Sequence, residues 1–272
     1  MAITKATGAV LGNYPRGSNN VVVGDGALDS LDASSPGGNN TAIGNNALTA
    51  NTTGAGNVAI GDQALDANTT AGDNTAMGYK ALTANTTGTS NVAIGKDALE
   101  ANTTANSNTA VGFKALEANT TGATNVAVGA STLAANTTAS DNTGVGYAVL
   151  LVNTTGTNNT GVGVNCLQAN TTGDDNTAIG RNALLSATTA SDNTAVGSQA
   201  GDAITTGASN TLLGRNAGGS ITTGNNSVFI GDTAGDAGTT IGNMVGIGYG
   251  ALTANTGEGN HTAIGMQSLT AN

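Results

Sequence analysis

Few side chains in this sequence are equipped for catalysis, and their settings argue against it. The only histidine, His261, stands in a slot that holds Asn in most other repeats, which reads as a turn residue rather than a ligand or general base. The only cysteine, Cys166, lies three residues after Gly163, where Ala47, Ala64, Ala81 and Ala98 stand elsewhere. It reads as a small buried hydrophobe, and it has no partner for an internal disulfide. The acids Asp62, Asp66, Asp97, Glu100, Asp174 and Asp175 alternate with Asn, Lys and Thr in equivalent slots, as solubilising turn residues do. A calcium loop would need several aspartates at fixed offsets, as in glycine-aspartate nonapeptide rolls, and that spacing is missing. Gly144-Val145-Gly146 and Gly161-Val162-Gly163 look like fragments of nucleotide loops, but no helix follows to aim its N-terminus at a phosphate. Asn-Thr-Thr, beginning at Asn51, Asn68, Asn85 and their equivalents, fits the N-glycosylation acceptor pattern, and turn chemistry accounts for it without sugar. The sequence therefore predicts no enzyme, no catalytic or metal-binding residue and no cofactor.

What positions these residues is a period. Gly44, Gly61, Gly78 and their successors to Gly265 follow one another at intervals of seventeen, and Gly24 precedes Gly44 by twenty. The first interval thus carries three extra residues, placed in the loop around Ser34, Ser35, Pro36, Gly37 and Gly38. Fifteen units cover nearly the whole chain. A fixed short period marks an architecture in which each unit buries its apolar face by stacking on its neighbours.

The three residues before each glycine read as a strand, as in Val58-Ala59-Ile60. The first is always β-branched and the third always Ile, Val, Leu or Met. Alternation puts these two on one face, assigned here to the coil interior with Ile43, Ile60 and Ile94. The middle residue stays small, and Ala59, Ala93, Ala127, Gly144 and Gly161 are assigned to a face packed against a partner subunit. Leu48, Leu65, Leu82 and Leu99, in the second half of the unit, would stack as an interior column. Asn40, Asn57 and Asn74 at one corner and Asn51, Asn68 and Asn85 at another would form amide ladders. Asn and Gly of the Asn-Thr-Thr turn are candidates for left-handed backbone, giving a flattened coil of two short strands and two turns. A helix over Asn46–Ala50 is the alternative, too short to stand alone. The expected fold is all-β, a parallel β-solenoid or β-roll of about fifteen 17-residue coils. Stacked strands about 4.8 Å apart would make a rod on the order of 70 Å long.

Residues 1–19 fall outside the period and read as an N-terminal cap or junction, with the rod over 20–272. Repeats in 197–243 are variant: Gly201, Gly218 and Gly235 replace the Leu, and Ile204 and Ile221 bring apolar mass three residues later. Leu212 and Phe229 stand in the small slot there, which suggests a neighbouring subunit that moves away or makes a different contact. The chain stops partway through a unit at Asn272, as expected for a piece of a longer fibre or for end-to-end contact.

Composition narrows the partners. The chain has 272 residues with no Trp, two Phe and four Tyr, so any core must come from Ile, Val, Leu and Ala. Its 42 Gly lack the every-third period of collagen. Seventeen acids against seven bases give a charge of −10, which excludes neutralising a phosphate backbone or an anionic membrane surface. No run reaches the length of a membrane span, and Met1–Gly17 lacks the apolar stretch of a secretory signal.

The quintets Asn57-Val58-Ala59-Ile60-Gly61 and Asn91-Val92-Ala93-Ile94-Gly95 resemble the head repeats of YadA-type trimeric autotransporter adhesins. The longer pattern of Ala47-Leu48, Asn51-Thr52-Thr53-Gly54 and Asn57 is similar to repeat arrays of phage tail fibres. The resemblance implies a left-handed β-roll assembled as a trimer, with the small residue facing partner chains. It also implies an extracellular setting, in a virion tail fibre or a cell-surface filament. The resulting expectation is a non-enzymatic fibre or shaft whose partner is itself, as homotrimer or end-to-end polymer. An adhesin rod binding a host-surface glycan or protein is the alternative, motivated by Leu212, Phe229 and Tyr249. Ice binding by a flat array of Thr52, Thr69, Thr86 and Thr103 is a third.

Overall fold

The structure, a computed structural model, describes residues 19–31, 37–236, 238, 240, 242–253 and 260–270. The expected cap over 1–19, Asn19 apart, and the insertion at Ser34, Ser35 and Pro36 lie outside the described residues. All regular structure among the described residues is β, and no helix forms.

The chain divides into two compact units, Met1–Ser131 and Thr132–Asn272. The first contains β1 (Val21–Val23), β2 (Thr41–Ile43), β3 (Val58–Ile60), β4 (Thr75–Met77), β5 (Val92–Ile94), β6 (Thr109–Val111) and β7 (Val126–Val128). The second contains β8 (Thr143–Tyr147), β9 (Thr160–Val164), β10 (Thr177–Ile179), β11 (Thr194–Val196), β12 (Thr211–Leu213), β13 (Val228–Ile230), β14 (Val245–Ile247) and β15 (Thr262–Ile264). Within each unit consecutive strands pair in parallel with equivalent slots opposed: Ala59 faces Ala76 and Ala76 faces Ala93 in the first, Ala178 faces Ala195 in the second. Each unit is a parallel β-solenoid in which one repeat makes one coil.

A coil contains one strand rather than the two expected, because left-handed residues break up its second half. Asn46, Gln63 and Lys80 stand at φ 53°, 58° and 54°, two residues after the glycine. Leu48, Leu65 and Leu82, two residues further on, stand at φ 57°, 53° and 55°. Asp73, Ser90 and Ser107 make a third such corner before the next strand, whereas the Asn of Asn-Thr-Thr does not adopt this conformation. A left-handed Leu costs about 1–2 kcal/mol, and complete burial of its side chain contributes about 1.5–3 kcal/mol. Burial wins, which explains why so unfavourable a residue fills this corner. The turns also pair coil to coil: the Leu48 amide donates to Ala64 O at 2.9 Å and the Thr52 amide to Thr69 O at 2.8 Å.

The strands are oriented opposite to the sequence reading. Ala59, Ala93 and Ala127 are fully enclosed within their own coil, and the other Ala at that slot are buried, so they do not form the subunit face assigned to them. Ile43 and Ile60 are half-buried and Ile94 is 37% exposed, so these residues point outward. The reason is width. Leu48, Leu65, Leu82 and Leu99 already fill the interior from the opposite side, leaving room only for a methyl group from the strand.

Exceptions to the pattern obey the same volume rule. A Cβ on Gly144 would lie 2.5 Å from Thr132 Cγ2, and one on Gly161 2.5 Å from Val149 Cγ1; both glycines face an enlarged residue in the opposite wall, inside the coil. Where Leu gives way to Gly201 and Gly218, Leu212 fills the space; where it gives way to Gly235, Phe229 does. Leu212 and Phe229 are fully buried. They repack the interior and say nothing of a departing neighbour.

Candidate functional site

Two Asn columns lie wholly inside the coils. Asn40 Oδ1 accepts the Asn57 amide N–H at 2.9 Å, and Asn57 Oδ1 accepts that of Asn74 at 3.0 Å. In the other column Asn68 Nδ2 donates to Asn51 Oδ1 at 3.1 Å and Asn85 Nδ2 to Asn68 Oδ1 at 3.1 Å. The columns meet at one carbonyl per coil: Ala71 O accepts from both Asn57 Nδ2 and Asn68 Nδ2, at 2.9 and 3.0 Å. Buried amides thus find partners within the stack, as they must. The second column stops where Ala187 replaces Asn, leaving Asn170 Oδ1 buried without a donor. Since Asn51, Asn68 and Asn85 are enclosed, the amide that a sugar would require is inaccessible in the folded chain.

Other chemically suggestive residues are likewise absorbed by the fold. Thr52, Thr69, Thr86 and Thr103 donate their hydroxyls to the carbonyls of Thr69, Thr86, Thr103 and Thr120, at 3.1–3.3 Å. These hydroxyls serve the coil stack and do not form the free array proposed for ice. Cys166 is enclosed with Sγ donating to Gly180 O at 2.7 Å, and burial pushes its thiol pKa up, away from thiolate reactivity. His261 contributes its carbonyl to the Val245 amide. No group of three or more His, Cys, Asp or Glu among the described residues is placed to hold a metal ion.

In each unit the outer surface presents three adjacent columns. The first and third strand residues form two of them, and the residue after each glycine forms another. In β8 and β9 the strand runs on to this last residue, so Thr143, Val145 and Tyr147 alternate onto one face. Met77, Ile179 and Leu213 in the aliphatic column are 40%, 40% and 46% exposed. In the outermost column Tyr79, Phe113, Tyr147 and Tyr249 are exposed. Lys96 Nζ lies 5.7 Å from the Tyr79 ring centroid and 6.0 Å from that of Phe113. Lys80 pairs with Glu100 at 3.4 Å and Lys114 with Glu117 at 2.7 Å. Sequence reasoning missed this cluster, whose signal was available: the slot after the glycine is among the least repetitive in the unit.

In the second unit Asp202 and Asp236 flank Gly219, where a Cβ would lie 3.4 and 2.9 Å from their Oδ1 atoms. Burial raises both carboxyl pKa values, opposed by hydrogen bonds from Gln199 and Ser220 respectively, and the Asp202 charge adds to the rise at Asp236. A folded pKa above the unfolded one means tighter proton binding when folded. The resulting stabilisation is complete below the ordinary aspartate value of about 3.9 and is lost as pH rises through the folded values. Thermal melts should show a smaller drop in midpoint from acidic to neutral pH for an Asp202→Asn/Asp236→Asn variant than for the parent.

Comparison with protein families, curated proteins and solved structures finds no match to this chain.

Proposed function

We propose that this chain is a non-enzymatic structural protein, a fibre or shaft segment of an extracellular filament or phage tail fibre, which assembles with copies of itself. The observation that carries this reading is the third strand residue. It is Ile, Val, Leu or Met in all fifteen repeats, yet it points out of the coil. An outward position free of contacts would drift in polarity, and an aliphatic row along the exposed sheet face of each unit marks a surface that becomes covered. The trimeric state and the left-handed winding follow from the resemblance to adhesin heads and tail-fibre arrays. The interface differs from the one that resemblance suggested: Ile60, Ile94 and their equivalents would meet the partner, with Ala59, Ala93 and Ala127 behind them.

Sedimentation velocity tests the proposal. The parent should sediment as an oligomer, and an Ile60→Asp/Ile94→Asp variant as a monomer with unchanged far-ultraviolet circular dichroism. A monomeric parent overturns it. A second reading, an adhesin rod for a host-surface glycan or protein, draws on Tyr147 and Tyr249, which are 58% and 55% exposed. A glycan array probed with the intact chain distinguishes it.

A further inference from the structure

We infer that the column following the glycines, and chiefly the Tyr79–Lys96–Phe113 stack, sets the register in which copies of this chain dock; the inference rests on the self-assembly reading above. A surface that repeats once per coil looks the same after a slip of one coil, about 4.8 Å along the stack. The aliphatic column has this property: Ile60, Met77, Ile94 and Val111 succeed one another with nearly equivalent side chains. It supplies contact area but cannot distinguish one alignment from the next, as a uniformly hydrophobic seam fails to fix a coiled-coil register.

The neighbouring column does not repeat. Along the first unit it reads Asp62, Tyr79, Lys96, Phe113, Ala130. In the second unit the equivalent column is continuous with the aliphatic face, where β8 and β9 pair Val145 with Val162 and Tyr147 with Val164 on one ladder. Lys96 sits between two rings, within reach of both, and Asp97 lies 3.9 Å from its ammonium. With Lys80–Glu100 and Lys114–Glu117 the cluster balances three cations against three acids, in a chain whose overall charge is −10. Two such clusters can therefore approach without net repulsion. A slip of one coil keeps the aliphatic contacts but moves a ring to the level of an ammonium and an ammonium to the level of a ring. Alignments one coil apart therefore differ in the pairs this column makes, ring against ammonium or like against like, and so differ in energy where the aliphatic column does not. Tyr147, Arg215 and Tyr249 give the second unit its own irregular marks in the equivalent slot.

The test compares the parent with a variant carrying Tyr79→Asn, Lys96→Asn, Phe113→Asn, Tyr147→Asn, Arg215→Asn and Tyr249→Asn; Asn45 shows that Asn belongs naturally in this slot. Both carry Thr104→Cys, an exposed site, with a spin label; Cys166 is enclosed and does not compete for it. Electron–electron distance measurements should give one narrow inter-copy distance for the parent and several populations for the variant, with both remaining assembled and thermally folded. A single narrow distance in the assembled variant overturns the inference, and so do several distances in the parent. A variant that assembles no longer, while its circular dichroism is retained, overturns it too, since the column would then supply adhesion rather than register. A monomeric parent removes the assembly reading along with it.

Discussion

Gly231→Ala is expected to destabilise the second unit by about 2–6 kcal/mol, whereas Gly265→Ala should cost about 1–3 kcal/mol. Both glycines end a strand with backbone that other residues rarely adopt, at φ 134° and 123°. They differ in what a methyl group would meet. At Gly231 it would sit 2.4 Å from Gly248 O and 2.6 Å from the carbon of that carbonyl, both backbone atoms that cannot swing aside. At Gly265 no atom of the described residues beyond its chain neighbours lies within 4 Å. The difference between the two variants isolates close stacking from backbone strain. Thermal melts combined with amide exchange across β13 and β14 would measure it, since repeat arrays need not unfold in one step. Equal losses at the two sites would mean that contact between successive glycines contributes nothing.

Phe229 and Gly235 should behave as one unit in a double-mutant cycle. Phe229→Ala alone empties a fully enclosed site and should cost about 3–5 kcal/mol. Gly235→Leu alone restores the residue type found in most coils, but its first carbon would already lie 2.5 Å from Phe229 Cδ1, so overpacking of about 1–3 kcal/mol is expected. The backbone itself accepts Leu: Gly235 stands at φ 69°, close to the 58° of Leu252 in the same slot. Combining the changes recreates the ordinary pairing of small strand residue with Leu. The double variant should be more stable than Phe229→Ala, with a coupling of about 2–3 kcal/mol. Simple additivity would show that the two walls of the coil pack independently.

These exchanges also explain what sequence alone could and could not convey. The period locates every strand, because one glycine per unit has no tolerable substitute where backbones stack so closely. Leu48 and Leu65, and both Asn columns, are legible because their types leave few alternatives in a repeating coil. The facing of Ile60 and Ala59 is not. Alternation states which residues share a side, but which side is enclosed depends on how much volume arrives from the other half of the coil, at Leu65. Gly144 opposite Thr132 and Leu212 beside Gly218 carry that information, in pairs that become meaningful only once the coil is closed. The left-handed Leu was hidden for a related reason, since local preference argues against it and enclosure overrides it.

The interior Asn column has an electrical consequence. From Asn119 back through Asn102, Asn85 and Asn68 to Asn51, each side-chain amide donates to the oxygen of the one before it. Their dipoles therefore point the same way and, shielded from solvent, reinforce one another. The first unit thus has a polar axis independent of any charged residue, and a break at Asn85 would interrupt its field more than a loss at either end of the row.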